Sequence, residues 1–209
     1  MRGMDAMPFP GRRERYALIA ADGAVPYRTS VTVGPRYDAG LVARALATDL
    51  EQNGAPLVYR LDRARAHDAP AARAVLAAHR VLVLHGPPRY PGYYGQLERQ
   101  NREHRAWLRA GGEPDDGKLE PCLREMLEGV NRLWRRRTLG WQTAAEAWSA
   151  RPPLTVDRDA LHEEVRERAR AIARSLSGRG QPADLAERLA IEQTLTRMGY
   201  LRQQLGGWC

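Results

Sequence analysis

Hydrophobic positions change period twice along the 209 residues, and each change marks a different kind of element. "RYALIAADG" is a continuous apolar run stopped by Asp-Gly, and "VPYRTSVTVG" alternates and is rich in β-branched residues. The two predict an antiparallel pair of strands. "MRGMDAMPF" predicts a short edge or opening strand before them. Residues 37–54 then switch to helical spacing, with Leu41, Val42, Ala45, Leu46 and Leu50 on one face and Asn-Gly as the stop. "APLVYRLD" and "RVLVLHGPP" read as strands, with "APAARAVLAAH" a helix between them. "RYPGYYG" reads as a loop and "YYGQLERQNREHRAWLRA" as a charge-rich helix. Antiparallel strands followed by strand–helix alternation predict a mixed α/β sheet with helices packed on it.

The polar, Gly-rich "GGEPDDG" (111–117) is the natural linker. It divides the chain into a core over 1–112 and a helical C-terminal region over 113–209. In that region "KLEPCLREMLEGVNRLWRRR" predicts a helix running into its arginines, and "TAAEAW" a short one capped by Thr143. Leu161, Val165, Ala169, Ile172 and Leu176 form one apolar stripe, and Leu185, Leu189, Leu195 and Met198 a second.

Composition narrows the setting. At 43% hydrophobic the chain can bury a core, and no apolar run approaches the roughly 20 residues of a membrane span. No signal peptide opens it, and Cys122 and Cys209 make no disulfide framework, so a reducing cytosol is the expected location. The net charge of +8 allows a polyanionic partner. Yet 32 of the 33 basic residues are Arg, Lys118 being the exception, a skew that a GC-rich genome produces without any nucleic acid in view.

Three acids draw attention by position. Asp5 lies in the first strand, Asp62 ends the "PLVYRLD" strand, and Glu98 lies on the charge-rich helix, with 35 residues between it and Asp62. The first and fourth strands have room to lie side by side. Carboxylates at the ends of adjacent strands, joined by one from a helix, suit two divalent cations about 3.5–4 Å apart. Asp22 competes with Asp5 but suits a turn with Gly23, and Glu98 could simply pair with Arg102 at i,i+4. The five histidines show no ligand-spaced pair on one helix, and His85 suits loop packing. Tyr93 and Tyr94 could pack that loop or face a substrate. Asn101 is placed to bond loop backbone, Cys122 suits a structural position, and Trp134 and Trp141 a core or an interface.

These residues carry a resemblance. The 35-residue spacing, the Pro-rich loop and helix in "HGPPRYPGYYGQLERQNREHRAWL", Asp5 ahead of "RYALIAADG", and "VNRLWRRRTLGWQTAAEAW" resemble the DDE transposases and retroviral-type integrases, above all bacterial insertion-sequence transposases. The match spans about residues 3–148. It implies an RNase H-like fold, a mixed five-stranded sheet with flanking helices, followed here by the helical C-terminal region. It implies metal-dependent DNA cleavage and strand transfer, with Asp5, Asp62 and Glu98 holding two Mg²⁺ (or Mn²⁺) ions. It further implies DNA partners (transposon ends and target), a homo-oligomer on DNA, no membrane, and a bacterial cytoplasmic, nucleoid-associated setting. Arg63, Tyr94, Arg102, Arg105, Arg135, Arg136 and Arg137 are the candidate DNA contacts.

The chain departs from the family pattern at three places. The family's small polar residues after the second Asp are replaced by "DRARAHD", which puts Arg63 beside Asp62 and makes Asp68 a substitute, though only 29 residues precede Glu98 from there. Ala144 stands where the family has Pro, and only four residues precede Asp5. Either the family's N-terminal helix-turn-helix is on a separate polypeptide, or the chain is a truncated remnant. The alternative is a catalytically inactive remnant, kept as a DNA-binding or assembly module.

Overall fold

The strand β1 (Arg2–Phe9) opens the chain as expected, but it is the middle of a five-stranded sheet and not its edge. The computed structural model describes residues 1–9, 15–87, 91–111, 114, 117–176, 183–201, 203–204 and 207–208. β1 pairs along its whole length with antiparallel β2 (Arg15–Asp22), and β2 pairs with antiparallel β3 (Arg28–Gly34). On its other side β1 runs parallel to β4 (Val58–Leu61), which is followed outward by parallel β5 (Leu82–His85). The spatial order is β3-β2-β1-β4-β5, a mixed sheet of RNase H-like type.

Alternation along the strands sorts the layers. Met4, Leu18, Ala20, Tyr59 and Leu61 pack against α1 (Ala39–Asn53) and α2 (Pro70–Ala78). The stripe predicted for α1 is buried as expected, Asp38 caps its start through Leu41 N–H, and Gly54 leaves it at φ +67°, a backbone that suits glycine. On the opposite face Met7, Ala17, Ile19 and Val31 meet Leu108 of α3 (Gly95–Gly111) and the apolar side of α4 (Leu119–Arg132). Cys122 packs at the margin of this cluster. Farther along that face, Val58, Leu82 and Leu84 meet α6 (Arg158–Leu176) and α7 (Ala183–Arg197). The C-terminal helices are therefore packed on the sheet.

Two expectations change in this region. The α4 helix stops at Arg132, because Arg135–Arg136 (β6) pair antiparallel with Gln142–Thr143 (β7) as a small hairpin. The predicted stripe of α7 also shifts. Ala186, Ala190, Ile191 and Leu195 are buried, while Leu185 and Leu189 are half-buried and Met198 is 39% exposed beyond the helix end. Ala190, Ile191 and Leu195 pack with Leu161 and Val165 of α6 and with the sheet. Thr143 caps α5 (Ala144–Ser149) as expected, in a capping box with Glu146. Most of the 111–117 linker lies outside the described residues, and α3 ends at Gly111. A two-stranded pair, Gln203–Gln204 with Gly207–Trp208, closes the chain. Among the described residues no helix is long and apolar enough to cross a membrane.

Arg2 anchors β1 to α1. Its guanidinium donates to Asp49 Oδ2 at 3.0 Å and to the last carbonyls of α1, Asn53 and Gly54, while Tyr59 donates to the same Asp49 oxygen at 3.0 Å. Arg2, Asp49 and Tyr59 are all buried. Removing one partner of a buried pair leaves the other charge uncompensated, at a cost of about 3–5 kcal/mol. Asp49→Ala is expected to lose about that much in urea unfolding. A loss under about 1 kcal/mol would show that the helix carbonyls alone hold Arg2.

Candidate active site

The register of β1 and β4 sets the site. Their pairing ends at Gly3↔Arg60, and Asp5 and Asp62 each lie two residues farther on, at the same level, where the strands part. Residues in register on neighbouring parallel strands face the same way. Asp5 thus shares the face that carries α3, and Gly3 sits beneath that helix so closely that a Cβ there would lie 3.0 Å from Leu97. Asp62 falls just beyond the end of β4, and Glu98 is in the first turn of α3, a position favoured for an acid by the helix dipole. The side chain of Glu98 is exposed.

The two strand acids sit in different electrostatic surroundings. Burial pushes the Asp5 carboxyl up from its ordinary value; the Ala6 N–H opposes this, while the negative charges of Asp62 and Glu98 raise it further. Burial also acts upward on Asp62, but the hydrogen bond and charge of His67, the Ala64 N–H and His85 outweigh it and hold that carboxyl low. One acid is poorly stabilised as an anion and its neighbour well stabilised. Among the described residues, no group of three or more His, Cys, Asp or Glu side chains is gathered closely enough to hold a metal ion.

Two side chains orient these acids. Asn101, one turn after Glu98 on α3, donates to Asp5 Oδ2 at 2.6 Å, where loop backbone was expected as its partner. His67 is buried, contacts Asp62 Oδ1 through Nδ1, and meets the Tyr37 hydroxyl at 3.3 Å through Nε2. Burial, then Asp62 and Asp5, push the Tyr37 hydroxyl up, which keeps it protonated. Asn101 had a signal in the sequence, its helical spacing from Glu98. His67 had none beyond lying five residues past Asp62.

The loop after β5 packs under Asp62. His85 Nδ1 lies 3.2 Å from the carbonyls of Leu61 and Asp62, matching its expected packing role. The Tyr94 hydroxyl accepts from Gly86 N–H at 2.7 Å and donates to Leu61 carbonyl at 2.9 Å. A Cβ on Gly86 would lie 2.6 Å from Tyr93 and 2.7 Å from the Tyr94 hydroxyl, so only glycine admits both rings.

The remaining candidates scatter around this centre. Arg63 is turned away, donating to Gly86 carbonyl at 3.0 Å and pairing with Asp184 on α7. Asp68 is exposed and paired with Arg73 at 2.5 Å, and Asp22 is buried in the expected turn, accepting from Ala24 and Val25. Arg102 and Arg105 are exposed on α3. Arg135 and Arg137 are exposed on the β6–β7 hairpin, while Arg136 is half-buried against Glu103. A separate cavity of about 590 Å³, lined by Arg2, Leu57, Trp148, Arg151 and Leu201 among others, contains none of the three acids.

By sequence, no protein-family model and no curated protein matches the chain. By structure it is similar to a chain of the cryoEM structure of the simian T-cell lymphotropic virus intasome in complex with PP2A regulatory subunit B56 gamma. That likeness has a TM-score of 0.64 at 17% identity over 75% of this chain, which spans 57% of the length of the other. It is also similar to the HTLV-2 integrase catalytic core domain in complex with magnesium, trimeric form (TM-score 0.58, 14% identity, 69% of this chain and 93% of that one). The catalytic core domain of BIV integrase gives a TM-score of 0.59 at 20% identity, over 71% of this chain and 92% of that one. The chain has the RNase H-like fold of retroviral integrase catalytic cores.

Proposed function

We propose that the chain is a DDE-type polynucleotidyl transferase that cleaves and joins DNA strands in transposition, as bacterial insertion-sequence transposases do. The observation that carries this reading is the register of β1 and β4, in which Asp5 and Asp62 lie at one level where the strands part, on the side of α3, whose first turn bears Glu98. The donor set, three carboxylates, has the chemistry that hard cations select, and Asp5 is the anion that a cation would relieve most. Bound Mg²⁺ or Mn²⁺ supplies activation of a water or 3′-hydroxyl and support for the leaving oxygen. Asp5, Asp62 and Glu98 would hold two such ions. Asn101 keeps Asp5 aimed across the fork, and His67 does the same for Asp62. Arg102 and Arg105, on the exposed side of α3, would meet DNA phosphates, as would Arg135, Arg136 and Arg137. Arg63 and Tyr94 would reach DNA only on releasing Gly86. Transposon ends and target DNA are the proposed substrates, met by a homo-oligomer with a separate helix-turn-helix polypeptide, in a bacterial cytoplasm.

A second reading, a DNA-binding or assembly module without turnover, is favoured by one observation. His67 occupies Asp62 Oδ1, and among the described residues the acids are not gathered as a metal cluster. Strand transfer on labelled DNA with Mg²⁺ or Mn²⁺ separates the two. Glu98→Gln is expected to drop activity to background, and Asn101→Leu to lower activity or metal affinity about 10–100-fold, the usual effect of losing a ligand's orienting partner. Unchanged products with Glu98→Gln would sink the enzymatic reading.

The raised Asp5 pKa gives a test that requires no substrate. A carboxyl raised on folding stabilises the fold fully below its unfolded value, near 3.9, and loses that contribution as pH rises through the folded value. Asp5→Asn should therefore raise the Tm of the metal-free protein at pH 7, with the advantage vanishing as pH falls below 4. Mn²⁺ should raise the Tm of the unaltered chain and not of Asp5→Asn. Equal Mn²⁺ responses in both would remove Asp5 from the ligand set.

A further inference from the structure

The β6–β7 hairpin spends hydrophobic surface and backbone strain where the fold gains nothing from either. Of six large apolar side chains exposed among the described residues, three fall in this short segment: Leu133 at 77%, Trp134 at 40% and Trp141 at 64%. Apolar residues exposed singly are ordinary, but a cluster marks a contact surface. Trp141 also has φ +66°, directly after Gly140 at φ +62°. The left-handed region suits Gly or Asn, and a bulky residue there costs about 1 kcal/mol or more. Among the described residues nothing buries its ring in return.

The strained conformation is nevertheless firmly set. Trp141 N–H donates to Arg136 carbonyl at 2.9 Å, Gly140 N–H to Arg137 carbonyl at 3.1 Å, and the Arg135 side chain to Trp141 carbonyl at 3.0 Å. The base of the hairpin is equally fixed. Asn131 exchanges two 2.9 Å bonds with the backbone N–H and carbonyl of Arg28 on the edge strand β3. Arg136 pairs at 3.2 Å with Glu103, which also holds buried Arg28. Glu103 lies five residues after Glu98 on α3, so the hairpin stands on the same helix as the candidate site, about 7.5 Å along its axis.

Charge selects the partner. Residues 132–142 contain four arginines and no acid. Neighbouring acids pair with Arg132 (Glu128), Arg135 (Glu146, 3.5 Å) and Arg136 (Glu103), and among the described residues Arg137 has no such pair. A rigid exposed aromatic flanked by exposed arginines is the chemistry that stacks a base and neutralises its phosphates.

We propose that this hairpin is a binding site for an unpaired nucleobase, with Trp141 as the stacking platform and Arg135 and Arg137 on the adjoining phosphates. The proposal rests on DNA being the substrate. It places a single-stranded or frayed DNA end next to α3.

Binding is measured by fluorescence anisotropy of a labelled 12-nucleotide single strand and of a blunt duplex of the same length, in EDTA, so catalysis plays no part. Trp141→Gly relieves the backbone and should keep or raise the Tm. It should weaken single-strand binding about 5- to 100-fold, affect the duplex far less, and Trp141→Phe should restore most of the loss. Arg137→Ala should weaken both ligands and lower the salt slope by about one. Equal single-strand affinity for Trp141→Gly and the unaltered chain overturns the proposal. So does a dimer that Trp141→Gly dissociates while DNA binding persists, which would make the hairpin a contact between copies. A chain that binds single strands through Trp141 but never transfers a strand would retain this site and lose the enzymatic reading alone.

Discussion

The sheet depends on a buried arginine at the start of its central strand. Arg2 ties β1 to the C-terminal carbonyls of α1 and to Asp49, and Asp49 in turn receives Tyr59 from β4. One carboxylate thereby links the helix to the two strands whose divergence opens the site. Such a pair is not a large net source of stability, since desolvation of both charges offsets most of their attraction. Its effect is on register: no slip of β1 against β4 keeps the bond network intact. Because Asp5 and Asp62 are opposed only through that register, the position of the candidate site follows from a contact at the far end of the same strands.

The two strand acids then meet opposite electrostatic conditions. Asp62 accepts from the Ala64 N–H and contacts His67, with the charges of His67 and His85 nearby, and bears its charge readily. Asp5 is desolvated on the central strand with Asn101 as its side-chain donor, and like charges add to its cost. An asymmetric pair of this kind is common where a protein has a use for an uncomfortable anion. Asp5 is the group whose ionic state responds most to what enters the fork.

Much of this architecture was legible in the sequence, for local reasons. The apolar runs of β2, β3, β4 and β5 and the helical stripe of α1 need no tertiary information, and Asp-Gly and Asn-Gly mark their ends. The neighbourhood of β1 and β4 was legible from the acids, but the pairing of β1 with β2 was not, because Asp5 and Pro8 interrupt its apolar pattern. The end of α4 was hidden by arginines that favour a helix until Gln142–Thr143 offer a ladder. In α7 the buried face was set by packing on α6 and the sheet, which the leucine pattern alone does not show. At the site, the levels of the acids followed from spacing and strand order. The roles of Asn101 and His67 did not, since each depends on a partner more than one element away or across a loop.

One consequence concerns mechanics. Glu98 and Asn101 belong to one helical turn, and Asn101 is bonded to Asp5, so α3 and β1 carry two of the acids as a single stiff unit. Asp62 belongs to a different body, a loop fastened by His67 on one side and by the Tyr94–Gly86 clasp on the other. The position of Asp62 relative to that unit therefore depends on how the short loop is fastened. The clasp at Gly86, which also holds Arg63, is one of those fastenings, so a substitution there reaches the acid without touching it.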